Sequence, residues 1–426
     1  MIKEFINKNR TLIKNFSSLS VLQLSQYIFP LITFPYLVRV LSPEGYGLVA
    51  FATAFVSYFS MLTDYGFNLS ATKEISINRN NSIIVSEIFN SVLTVKILLF
   101  ILSIIIIIPI VFLFPKFNRD SSIYLISFVS VLGTTLFPVW FFQGIERMSF
   151  ISIISIAIKI IWVVLIFFLI KSYDDILLLV TLNSLSSVLT GLFGLISVRK
   201  YFNLNFSIPT LHQIKYQFIE GWHYFLSTAS ISLYTISNIF ILGLFASDTI
   251  VGYYSAADKI RYAIQNISSA ASRTVFPHLS SEFKRSEEAA FGFISKYIKS
   301  VGGFSVLSSI LLFIFAEQIT VLVLGKQYME SVIILKIISF LPLIIFFSNV
   351  AGVQTMLNMG FKREFANIIL GAGIFNILLS FIIVPIYFSI GTAVAVVLTE
   401  IIVSTQMVYF LRKNNIRVFK KLKNEI

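Results

Sequence analysis

Long apolar runs, broken only by short polar punctuation, dominate the chain. The stretches ILLFILSIIIIIPIVFLF (97–114) and IIWVVLIFFLI (160–170) carry no charge. With their flanks they reach the roughly 20 apolar residues that cross a bilayer core. Hydrocarbon offers backbone N–H and C=O groups no partner, so repeated runs of this length predict helices that close their own hydrogen bonds. The period-two alternation of a membrane β-barrel is absent. About twelve spans are expected, over 17–40, 47–68, 84–113, 122–142, 150–170, 176–198, 223–246, 253–276, 297–316, 331–357, 365–384 and 392–411. The longest connections, 199–222 and 277–296, are too short to fold as domains of their own. The pattern predicts an all-α polytopic membrane protein, six spans in residues 1–205 and six in 206–426.

Lys3, Lys8, Arg10 and Lys14 precede the first apolar stretch. That stretch, from about Phe16 to Val40, is too long for the apolar region of a signal peptide, and no small-residue cleavage site follows it. It reads as a retained first span.

Charge changes the picture in one respect. Only 12% of residues are charged, yet the net charge is +13. With the N-terminus placed in the cytoplasm, most basic residues fall on that side, among them Lys73, Arg79, Arg147, Arg199, Lys200, Lys284, Arg285, Lys362 and Arg363, with a basic tail from Arg412 onward. Arg39, Lys116, Arg119, Lys171 and Lys326 fall outside. This bias puts both termini in the cytoplasm and anchors the loops to anionic membrane lipids, with no nucleic acid as partner. There is no cysteine, which excludes disulfides and thiolate metal sites, and His212, His223 and His278 are not spaced as a metal cluster. No phosphate-binding loop is visible and no cofactor is expected.

Two pairs of motifs recur six spans apart. QGIERMSFISII (143–154) follows the fourth span and MGFKREFANIIL (359–370) the tenth; EGYG (44–47) opens the second and VGYY (251–254) the eighth. Repeats an even number of spans apart share one orientation, so the two six-helix bundles are expected to be related by a parallel pseudo-two-fold axis around a central cavity.

One predicted span is unlike the rest. YYSAADKIRYAIQNISSAASRTVF (253–276) is long enough to cross a bilayer yet carries charges. At 100° per residue, Asp258, Arg261, Gln265, Ser268 and Ser272 share one face, and Lys259, Asn266, Ser269 and Arg273 line the adjoining strip. Charge at the bilayer centre costs at least about 2.5 kcal/mol, so the polar half must face a water-filled or protein-lined space. Snorkelling of Lys259 and Arg261 to the interface is the plainer alternative, as is membership of Arg273 in the cytoplasmic anchor set. Neither accounts for Gln265 and Asn266 at mid-depth.

Other spans add polar groups. Lys159 sits near the middle of the fifth span, on one face with Ser152 and Ser155. Lys96 is either an interfacial anchor or a functional group, and Lys336 reads as an anchor. Gln354 is either helix–helix glue or a cavity group. Glu400 and Asp64, with Asp258, are candidates for ion pairing or for carrying a coupling proton. Pro30 and Pro35 interrupt the first helix's hydrogen-bond ladder and predict a bend or a hinge; Arg39 follows, as anchor or guard of the cavity mouth. The candidate substrate-binding set is therefore Lys159, Lys259, Arg261, Arg273, Arg39, Gln265, Asn266 and Gln354. Its net sign is positive, which suits phosphate or pyrophosphate, and Arg can hold such groups bidentately.

Four stretches in order, YLVRVLSPEGYGLVAFATAFVSYFSMLTDYGFNLSATKEIS, FPVWFFQGIERM, IFILGLFASDTIVGYYSAADKI and GVQTMLNMGFKRE, resemble the bacterial Wzx-type flippases of polysaccharide repeat units. These belong to the multidrug/oligosaccharidyl-lipid/polysaccharide exporter superfamily. The resemblance implies flipping of undecaprenyl-pyrophosphate-linked oligosaccharide across the cytoplasmic (inner) membrane by alternating access, for O-antigen or capsule synthesis. It implies Arg39, Asp64 and Lys259 as functional positions. With no phosphate-binding loop visible, an H+ or Na+ gradient is the expected drive, and polysaccharide polymerase and chain-length machinery are expected partners. Where many relatives of the superfamily carry an acidic residue in the seventh span, this chain has Asn238. Alternatives are a lipid II flippase, a multidrug/cation antiporter of the same fold, or, less in keeping with the short loops, a membrane polymerase or glycosyltransferase.

Overall fold

The computed structural model describes residues 10–202 and 204–416. Every regular element among them is helical. The α-helices of six residues or more are, in chain order, α1 (Arg10–Val40), α2 (Ser42–Asp64), α3 (Phe67–Asn78), α4 (Ser82–Leu113), α5 (Ser121–Leu136), α6 (Val139–Gly144), α7 (Ser149–Leu169), α8 (Ile176–Tyr201), α9 (Leu211–Phe245), α10 (Asp248–Arg285), α11 (Glu287–Tyr297), α12 (Gly303–Ile314), α13 (Ala316–Val323), α14 (Ser331–Ile338), α15 (Leu341–Asn349) and α16 (Lys362–Lys413). Wide π turns, Ile298–Gly302 and Val350–Met356, join α11 to α12 and extend α15.

Nine helical stretches among the described residues are long and apolar enough to cross a membrane, and the protein is a multi-pass membrane protein. The difference from the expected twelve has local causes. The expected spans 365–384 and 392–411 lie in the single 52-residue α16, broken only by non-helical geometry at Phe388. Residues 253–276 are helical within α10 but too polar to register as a span. Of 223–246, the described apolar portion is Ile236–Phe245, at the end of α9. The basic residues of the expected cytoplasmic termini, Lys3, Lys8 and those from Arg417 onward, lie outside the described residues.

The helices group into two compact units. The first takes the described residues through Leu41 together with Phe51–Ser232; the second takes Ser42–Ala50 and the described residues from Leu233 onward. The first unit's core is an aromatic cluster of Phe67, Phe89, Trp140, Phe141 and Phe142, all nearly fully buried. Small residues set the approach of α5 and α8. A Cβ on Gly133 would overlap the Ser187 backbone, and one on Gly191 would come within 2.5 Å of the Gly133 carbonyl oxygen. At that spacing Ser184 Oγ donates to the Ile126 carbonyl at 2.6 Å and Ser187 Oγ to the Ser130 carbonyl at 2.8 Å. Lipid tails are as apolar as a leucine side chain, so close backbone packing and such interhelical bonds hold membrane helices together.

The second unit has its own core, built on Leu279, Ile294, Phe346, Val350, Met356 and Met407. Its tightest crossing joins the two glycine motifs that the sequence pairs. A Cβ on Gly47 would overlap the Asp248 carbonyl, and one on Gly252 would overlap that of Pro43. The other repeated motifs turn differently: the positive φ falls on Glu146 (58°) in one and on Gly360 (90°) in the other.

The packing gives a prediction. Gly133→Ala forces α5 and α8 apart and destabilises by about 1–3 kcal/mol, whereas Gly371→Ala, with nothing within 4 Å, leaves stability unchanged or slightly raised. Thermal unfolding of the two purified variants in detergent, followed by size-exclusion chromatography, checks the contrast.

Candidate functional site

In the first unit, Lys159 is carried on α7 and is half-buried. It lines a cavity of about 380 Å³ with Gln26, Ser155, Trp162, Asn183 and Thr190 among its walls. Helical spacing brings Ser155, Lys159 and Trp162 to one side of α7. Ser152, which shares that row in the sequence, instead donates to the Ser18 carbonyl of α1 at 2.7 Å. Trp162 Nε1 donates to Asn183 Oδ1 at 2.8 Å, which ties α7 to α8 across the cavity wall. Lys159 has neither a hydrogen-bond nor an ion-pair partner among the described residues.

Prolines shape the polar lining. α1 continues through Pro30 and Pro35. Pro30 has no N–H, so the carbonyl of Gln26, four residues earlier, loses its helical donor beside the cavity. The same device ends α5. Pro138 follows Thr134 by four residues, and the Thr134 carbonyl accepts from Lys96 Nζ at 3.2 Å instead.

That ammonium also lies 3.9 Å from Asp64 Oδ1, which accepts from Asn68 Nδ2 at 2.8 Å. Lys96, 3% exposed, is thus held inside the unit rather than at an interface. The Asp64 carboxylate is the nearest counter-charge to it. Arg39 occupies the last turn of α1 and is exposed.

In the second unit, the polar half of α10 divides into two rows. Arg261, Gln265, Ser268 and Ser272 are buried. Ser268 Oγ meets Ser305 Oγ of α12 at 3.1 Å, and Ser272 Oγ donates to Asn349 Oδ1 of α15 at 2.7 Å. This row is protein-lined, since an apolar bundle satisfies such groups only through a neighbouring helix. Arg261 closes on Asp258 Oδ1 through Nε at 3.0 Å and Nη2 at 2.5 Å. Glu400, buried on α16, acts electrostatically on the same guanidinium. Gln354 is fully enclosed, its amide donating to the Ser272 carbonyl and hydroxyl at 3.0 and 2.8 Å. It joins the Val350–Met356 turn to α10 rather than opening onto a cavity.

The adjoining row is the accessible one: Lys259 and Arg273 are exposed, Asn266 and Ser269 half-buried. Arg273 lines a cavity of about 530 Å³ with Ser269, Ser272, Phe276 and Asn349. Apart from Arg39, exposed at the end of α1, the structure places the predicted substrate-binding cations in three settings. Lys159 is unpaired within a cavity of the first unit, Arg261 is neutralised within the second, and Lys259 and Arg273 lie on an accessible strip of the second.

Sequence reasoning passed over Trp162, Asn183, Thr134 and Asn349. A signal was present for one of them. A proline four residues after Thr134 leaves a carbonyl without its helical donor, and a lysine in an otherwise apolar helix is a natural donor to it. The Trp162–Asn183 pair joins two different helices, and no spacing rule reports it.

Membrane-spanning helices with polar, cation-bearing cavities define a multi-pass membrane transporter. Residues 12–283 match the family of polysaccharide biosynthesis proteins. A candidate O-antigen transporter of Escherichia coli (strain K12) is 32% identical over 97% of this chain and 100% of its own length. One from Shigella dysenteriae is 30% identical over 92% of this chain and 97% of that protein. The chain belongs to the polysaccharide biosynthesis protein family, among the Wzx-type flippases of the multidrug/oligosaccharidyl-lipid/polysaccharide exporter superfamily. Its fold is similar to that of the lipid II flippase MurJ in an inward closed conformation. The TM-score is 0.73 and the identity 14%, over 92% of this chain and 87% of that one.

The Arg261–Asp258 pair generates a test. Asp258 is partly exposed, so removing one member of this pair leaves an unmatched charge at a cost below the about 3–5 kcal/mol of a fully buried pair, whereas removing both is milder. Asp258→Asn and Arg261→Met should each lower the unfolding temperature more than the double variant does, measured by thermal denaturation of the purified protein.

Proposed function

We propose that this transporter moves undecaprenyl-pyrophosphate-linked oligosaccharide repeat units from the cytoplasmic to the outer leaflet of the bacterial cytoplasmic membrane. Its expected architecture is twelve spans in two six-helix bundles, residues 1–205 and 206–426, with both termini cytoplasmic. The observation that carries the reading is the unpaired Lys159 ammonium in a polar cavity within an apolar helix bundle. A carrier of anionic cargo, with the charge on its pyrophosphate or on its sugars, gains from such a group, whereas a carrier of cationic drugs would be repelled by it. The accessible Arg273 in the second unit adds to the positive sign, and its planar fork suits phosphate oxygens. The similarity to candidate O-antigen transporters supports a glycan-linked cargo. The polyprenyl tail stays in lipid while the headgroup passes through protein. Alternating access is driven by an H+ or Na+ gradient, and polymerase and chain-length proteins take the product.

Flipping in proteoliposomes tests this. Lipid-linked oligosaccharide should become accessible to an added lectin on the opposite leaflet, while a cationic dye is not moved and lipid II is moved poorly. Dye transport without glycan flipping would overturn the reading, and preferred movement of lipid II would replace the cargo. Lys159→Ala and Arg273→Ala should each slow flipping by roughly tenfold, the loss of one charge-assisted hydrogen bond of about 1.5 kcal/mol, with unchanged unfolding temperature.

A further inference from the structure

We propose that the Lys159 cavity is a subsite for one sugar residue bearing a single carboxylate, of the uronic acid class, and not for the pyrophosphate. The proposal rests on the flippase reading and sharpens it.

The lining decides the ligand class. Lys159 is the only charged residue among the described residues that line the cavity, so the site matches one negative charge. A pyrophosphate diester carries two, and a single ammonium with no second cation leaves half of that charge unmatched in a low-dielectric surrounding. The other polar groups are neutral. Ser155 and Gln26 make no hydrogen bond among the described residues, and Asn183 engages Trp162 only through Oδ1, which leaves its Nδ2 free to donate. Hydroxyl and amide groups of this kind match sugar hydroxyls, which both donate and accept.

Trp162 supplies the remaining feature. Its N–H is already satisfied by Asn183, so the indole presents only apolar surface to the cavity. The C–H face of a pyranose offers the matching apolar surface, and a phosphate has none. A volume of about 380 Å³ lies in the range of small-molecule sites. In the second unit, the cavity of Arg273 has a guanidinium fork and no indole, the chemistry suited to phosphate oxygens.

The test uses the full-length protein in nanodiscs, with Trp162 fluorescence as readout and Trp162→Phe to identify its share of the signal. The probes are methyl glucuronide, methyl glucoside and inorganic pyrophosphate. The expected result is that methyl glucuronide perturbs Trp162 at about a tenfold lower concentration than methyl glucoside. Lys159→Gln should abolish that preference. Asn183→Asp keeps the acceptor for Trp162 Nε1 but adds a negative charge, and should turn the preference toward the glucoside. Equal binding of the two glycosides, retention of the preference in Lys159→Gln, or stronger displacement by pyrophosphate than by glucuronide would each overturn the subsite. The flippase reading is decided separately, by movement of two lipid-linked oligosaccharides, one neutral and one carrying a uronic acid, in the same preparation. Movement of neither sinks that reading whatever the glycosides do, and movement of either does not rescue the subsite.

Discussion

Among the described residues, Lys159 is an ammonium group without a carboxylate partner, carried by a helix whose other faces are hydrocarbon-like. That placement is costly unless water or a ligand solvates the charge, by about 2.5 kcal/mol or more. The protein resolves the same problem differently at two cations that are buried more deeply. Lys96 has a backbone carbonyl and the Asp64 carboxylate near it, and Arg261 holds Asp258 through two nitrogens. Two buried cations with acidic neighbours inside the protein, and one whose neighbours are hydroxyls, amides and an indole, mark the third as the place where charge is offered to something else.

The surroundings of that charge follow from how apolar helices pack. Glycine and serine let α5 and α8 approach until hydroxyls reach backbone carbonyls of the facing helix. Prolines then release carbonyls that a regular helix would have used internally, Thr134 to Lys96 and Gln26 beside the cavity. A polar chamber arises within a bundle made almost wholly of aliphatic and aromatic residues where these two departures from the helical ladder free a carbonyl.

Much of this was legible in the sequence. Uncharged runs such as 97–114 could only be membrane helices, and Lys159 at mid-span signalled a polar interior. The helical wheel of 253–276 put Arg261, Gln265, Ser268 and Ser272 on one face, and they do lie together. What the wheel could not tell was whether that face met water or another helix. The answer depends on Ser305, Asn349 and Gln354, more than thirty residues away in sequence. Neither the accessibility of the neighbouring Lys259–Arg273 row nor the Trp162–Asn183 bond could be read locally, since both follow from which helices become neighbours.

Hydration of Lys159 is the point on which this account stands. The chain has no cysteine, so a single introduced thiol can be followed without background. Lys159→Cys and, as a control on an outward face of the same helix, Ile153→Cys, 68% exposed in the protein alone, would be treated in intact membranes with a membrane-impermeant maleimide. Rapid labelling of the Lys159→Cys protein, slowed by added lipid-linked glycan, with little labelling of the Ile153→Cys protein, is the predicted result. No labelling of the Lys159→Cys protein from either side of the membrane would contradict a hydrated cavity there.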